Sequence, residues 1–140
     1  MDILAPFFGV MLLTLAVWAY MYARRLSFLI GQQVDLRTVD TPGKADSVIP
    51  ADVNRPSNNL KNLFELPVIF YAVCLYLFAS DGVDPFYVIA AWCFLAFRIG
   101  HSLIHCTYNN VRHRFLAYLL AATALWAMVI RVAAKVAGIL

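Results

Sequence analysis

Three groups of polar residues stand inside otherwise apolar stretches of this 140-residue chain. Arg55, Asn59, Asn62 and Glu65 (or Leu66) follow one another at spacings of three and four, as do Arg98, His101, His105 and Tyr108, with Ser102 alongside. That spacing puts each group on one face of a helix. A third group opens on Arg112, His113 and Arg114, and Tyr118 lies one turn beyond Arg114. Together they offer guanidinium cations, amide donors, imidazoles and phenols, but a single carboxylate. Such a set suits an anionic, amide-rich small molecule better than a metal. His101 and His105 stand at i and i+4, yet no convincing third ligand accompanies them.

The elements that must carry these residues are membrane helices. The chain is 63% hydrophobic and 14% charged, with a mean hydropathy of +0.74. A soluble domain is about half apolar and about one quarter charged. The length allows one domain, residues 1–140. The net charge of +3 comes from basic residues at segment ends, with no stripe for nucleic acid. Cys74, Cys93 and Cys106 fall in apolar segments without a CxxC pair, which reads as buried free thiols and not as a disulfide framework or zinc site. The first apolar run is too long for a secretory signal and lacks a basic region before it.

Runs of about 20 apolar residues suffice to cross the hydrocarbon. They predict an all-α, integral-membrane four-helix bundle with spans at about 3–31, 57–79, 86–108 and 112–138. Strands are excluded because a spanning segment must satisfy its own backbone, and these runs have helix lengths. The stretch from Gln32 to Asn54 reads as a loop touching a membrane surface; SDGVDP and NNVRHR read as tight turns. Pro67 is placed to bend the second span. Arg24, Arg25, Arg37, Lys44, Arg55 and Lys61 flank the first connection and Arg112 and Arg114 the third, whereas the second holds only Asp81 and Asp84. The positive-inside rule then puts the first and third connections in the cytoplasm and both termini outside it. Arg131 and Lys135 run mildly against this, close enough to a helix end to snorkel.

Taken singly, most of these residues have ordinary explanations. Arg112 and Arg114 suit interfacial anchors, Asn59 and Asn62 suit helix-packing contacts, and Tyr108 and Tyr118 suit an aromatic belt. Arg98 does not fit that account. It lies near mid-span, where an unpaired guanidinium costs at least about 2.5 kcal/mol, so it must face protein or a wet cavity. Glu65 is the nearest acid by depth.

Arg55-x3-Asn59-x2-Asn62, followed by Pro67 and an apolar run, resembles the second helix of the MAPEG family, the membrane-associated proteins in eicosanoid and glutathione metabolism. Arg98-x2-His101-x3-His105 is similar to that family's Arg-x2-His-x3-Tyr on the third helix, and Arg114 with Tyr118 to its thiol-activating arginine and following tyrosine. LFELPVIFY resembles a bacterial branch, which implies a multi-pass protein of the bacterial inner membrane. The resemblance spans essentially the whole chain. It implies a homotrimer in contact with membrane lipids, binding glutathione as co-substrate between subunits near the cytoplasmic face. Arg55, Asn59, Arg98, His101, Arg114 and Tyr118 match glutathione contacts, and Arg24 or Arg25 a further carboxylate contact. Two positions depart from the pattern. Asn62 stands where the family has glutamate, leaving Glu65 almost one turn later as a stand-in, and His105 stands where it has tyrosine.

A thiol with a pKa of about 8.5 is only partly ionised at neutral pH. A guanidinium against the sulfur favours the thiolate and stays charged when desolvated. The resemblance gives this role to Arg114, implying transfer of glutathione to a lipophilic electrophile or reduction of a lipid hydroperoxide. Two other readings stand beside it: a non-catalytic trimeric scaffold or binding protein whose polar faces hold subunits together, and a small transporter with Arg98, His101 and His105 as an ion path. No inverted repeat supports the second.

Overall fold

Proline and short polar side chains set where the helices begin. Pro42, Pro67 and Pro85 each stand in the first turn of a helix, where a missing N–H leaves no bond unmade. Asp84 accepts hydrogen bonds from the backbone N–H groups of Phe86 and Tyr87, and Asn110 from those of Arg112 and His113, so each caps the helix that follows. The computed structural model describes residues 2–140. Its helices are α1 (Leu4–Gly31), α2 (Pro42–Val48), α3 (Ala51–Leu63), α4 (Leu66–Ala79), α5 (Pro85–Cys106) and α6 (Val111–Val136), with a short 3-10 turn at Leu36–Val39. No strand occurs among the described residues.

Among the described residues, four helical stretches are long and apolar enough to cross a membrane: α1, α3 with α4, α5, and α6. The α5–α6 hairpin forms the most extensive packing; α1 lies against α3 and α5, and α4 against α6. The core runs through Phe7, Val10, Phe70, Cys74, Tyr87, Phe94, Leu125 and Met128, with Phe70 and Phe94 stacked at a centroid distance of 4.4 Å. Phe8, Leu12, Trp18, Ile89, Trp92, Leu103, Phe115 and Ile130 point outward. Arg98, Asn59, His101, Ser102 and His105 are buried inside. An apolar exterior around polar groups is the arrangement that lipid contact favours. Cys93, expected to be buried, is exposed on that surface.

The first connection is more ordered than a loop. Thr41 caps α2 through Lys44 N–H, and Ala45, Ile49 and Val53 form a small apolar cluster against Phe28 and Val39. The second helical stretch accordingly starts at Ala51, before the polar residues that marked it in the sequence. It is then broken, not merely bent. Pro67 has no N–H for the carbonyl of Leu63, α3 ends at Leu63, and Glu65 adopts φ −100°, ψ −101° before α4 resumes at Leu66.

Candidate functional site

The break between α3 and α4 fixes Arg98. With α3 ending at Leu63, the carbonyl of Asn62 accepts a hydrogen bond from Arg98 Nη2 at 2.8 Å. Arg98 is wholly buried and faces the bundle interior, as its depth demanded. Its partner is this backbone carbonyl, whereas Glu65 is exposed and makes no ion pair among the described residues. The carbonyl left over at a helix end is thus taken up by one nitrogen of the guanidinium, which spacing alone could not reveal.

Beside this junction lies an open cleft of about 250 Å³, lined by Asn62, Glu65, His101, Val111, Arg114, Phe115 and Tyr118. Five of these came from the sequence: Asn62 and Glu65 from the α3–α4 corner, His101 from α5, Arg114 and Tyr118 from α6. Arg114 is half-buried, and its Nη1 donates to Asn109 Oδ1 at 2.8 Å. Asn109 has a positive φ of 51°, a backbone state that asparagine tolerates better than most residues. The Asn109–Asn110 pair therefore divides the work of the turn: the first side chain holds Arg114 and the second caps α6. His101 Nδ1 lies 3.0 Å from the carbonyl of Arg114. Its ring sits 5.9 Å from that of Tyr118 and 5.7 Å from that of His105.

The remaining candidates do not line this cleft. Asn59 is buried between α3 and α5, donating to Cys106 Sγ at 3.6 Å and accepting from Ser102 Oγ at 3.4 Å. Arg55 Nη1 donates to the carbonyl of Thr107 at 2.7 Å, where the C-terminal end of α5 presents its negative dipole. His105 is buried next to His101. Arg25 stands elsewhere. Its Nη2 donates to Asn54 Oδ1 at 2.9 Å, and it lines a second cleft of about 300 Å³ with Asp40, Asp46 and Lys61. Arg24 pairs with Asp52 at 3.2 Å.

Asn109, Val111 and Phe115 were not singled out from the sequence. The NN pair before VRHR marked only a turn, and Phe115 looked like one more apolar residue. Four side chains of the polar region keep buried atoms without a partner among the described residues: Arg25 Nε, Arg98 Nε and Nη1, His101 Nε2 and His105 Nδ1. A buried group left unpaired costs about 1–3 kcal/mol, and three such side chains, Arg98, His101 and His105, lie close together on α5.

The apolar helices and the cationic cleft at one end define an integral multi-pass membrane protein of the helical-bundle class. The chain belongs to the MAPEG family, whose family model matches residues 3–134. Membership supports a membrane-bound, glutathione-related function of transferase or peroxidase type in general. No curated protein matches the chain.

Proposed function

We propose that this protein transfers glutathione to lipophilic electrophiles, or reduces lipid hydroperoxides with it, through a thiolate held against Arg114. One observation carries the reading: Asn62, Glu65, His101, Arg114 and Tyr118, remote from one another in sequence, line a single cleft. Arg114 is anchored by Asn109 at 2.8 Å, so its guanidinium is held in place before a ligand arrives. Glu65 brings a carboxylate to the cleft that Asn62 lacks and is the candidate partner for the tripeptide's amino group. Arg98, Arg55 and Asn59 tie α3 to α5 and its end and so hold the corner that carries Asn62 and Glu65.

The cleft is open at one side, and Arg25 lies outside it. Both features suit a homotrimer in which a neighbouring copy completes the site. The cluster of basic residues at this end supports a cytoplasmic orientation of the cleft, within reach of a water-soluble thiol and a lipid-dissolved second substrate.

The test is binding and ionisation. Millimolar glutathione should raise the unfolding temperature of the purified protein, and bound glutathione should show thiolate absorbance at a pH where the free thiol is mostly protonated. Arg114→Ala should abolish the thiolate signal and lower turnover about 10²-fold or more, leaving the unfolding temperature without glutathione nearly unchanged. Arg114→Lys should recover only part, because an ammonium lacks the planar fork. A wild-type protein with neither thermal shift nor thiolate would leave the scaffold reading in its place.

A further inference from the structure

His101 is fixed in one tautomer by the residue proposed to hold the thiolate. Its Nδ1 lies 3.0 Å from the main-chain carbonyl of Arg114. A carbonyl only accepts, so Nδ1 carries the proton and Nε2 carries the lone pair. Nε2 is buried and has no partner among the described residues, although the ring lines the same cleft as the side chains of Arg114 and Tyr118. One residue of α6 thus orients the imidazole through its carbonyl and offers a cation to the ligand through its side chain. A lone pair so placed needs a donor, and the ligand reading supplies a thiol.

We propose that His101 is the general base and acid of the conjugation, an assignment that rests on the glutathione reading above. The thiol S–H bond breaks and an N–H bond forms at Nε2; the electron pair stays on sulfur, against Arg114. The thiolate then adds to the β-carbon of an α,β-unsaturated carbonyl compound. A C–S bond forms, and the alkene π pair moves to give an enolate. The enolate takes the proton back from Nε2, which returns His101 to its starting tautomer. No oxidant, reductant or further reactant is required.

Two variants separate this role from simple ligand binding. His101→Gln keeps an acceptor near the position of Nε2 but takes up no proton. His101→Asn keeps a donor near Nδ1 for the Arg114 carbonyl. The measurements are the thermal shift with glutathione, the stopped-flow rate of thiolate formation, and turnover with a lipophilic enone. His101→Gln should retain the thermal shift and lose both rates, on the order of 10²-fold; His101→Asn should lose them as well. Wild-type rates in His101→Gln would overturn the proposal and leave His101 as a ligand contact. If the variants do not fold, the wild type decides by itself. Mixing it with glutathione in weak buffer should release less than a full proton per thiolate formed, because His101 holds the remainder; release of a full proton overturns the proposal. A wild type that gives no thermal shift and no thiolate removes the glutathione reading itself, an outcome distinct from either.

Discussion

The two ends of the bundle handle charge in opposite ways. At the α4–α5 turn, Asp84 Oδ1 accepts from Arg131 at 2.8 Å, and Asp84 Oδ2 from Lys135 at 3.1 Å. The same carboxylate caps α5. Arg131 lies over the rings of Phe86 and Tyr87, 4.6 and 4.8 Å from their centroids. One acid therefore meets two cations and a helix end, and these three charges are paired; only the uncharged Tyr87 hydroxyl beside them is buried without a partner among the described residues. At the other end Arg98 uses one nitrogen on a backbone carbonyl and leaves two without a partner, and His101 and His105 each keep a buried nitrogen unpaired. What separates these two clusters is how completely their charged and titratable groups are paired. The Asp84 cluster is partly exposed and ties α5 to α6, whereas the Arg98 cluster is buried, where each unpaired polar atom is costly.

Replacing Arg98 should break the contrast most severely. Arg98→Ala leaves a cavity at a wholly buried position and strips the Asn62 carbonyl of its partner, so we expect a loss of about 3 kcal/mol. Reversible unfolding in mixed micelles would measure it, and glutathione binding should fall with it as the α3–α4 corner loosens. A variant as stable as the wild type would mean that Arg98 is held for the ligand alone.

Asp84→Ala should come next, at about 2 kcal/mol, from a lost helix cap together with two weakened, partly exposed ion pairs. Here stability should fall while glutathione binding is unchanged, because Asp84 lies at the opposite end of α5 from the cleft. The pH dependence sharpens the point. Partial burial acts to raise the Asp84 carboxyl, but hydrogen bonds from Arg131, Lys135 and the Tyr87 backbone outweigh it and hold the group below its ordinary value. Its contribution is complete above the unfolded carboxylate range and is lost as pH falls through the lowered folded value. The difference in unfolding temperature between wild type and Asp84→Asn should therefore shrink on acidification below about pH 4.

Lys135→Gln should have the smallest effect, under about 1 kcal/mol, since Arg131 still neutralises Asp84 and the lysine is the more exposed partner. A larger loss, measured by the same unfolding, would show that the two cations act as one unit.

Some of this was readable along the chain. Periodicity alone placed Arg98, His101 and His105 on one face of α5, because helix geometry is local. Run length and the cost of unsatisfied backbone in lipid gave the helical bundle, and the residues at turn positions gave SDGVDP and the NN pair. Pro67 signalled a disturbance in the second span. Only the folded chain decided what that disturbance does. The break exposes the carbonyl of Asn62, and Arg98, thirty-six residues away, closes it; sequence depth suggested Glu65 instead. Likewise the motif spacing named Arg114, but it could not show Asn109 holding its side chain while its carbonyl fixes the tautomer of His101. Which side chains lie on a helix face is settled within a few turns of backbone. Which atoms remain unpaired inside the bundle depends on how separate helices meet, and that was settled by packing.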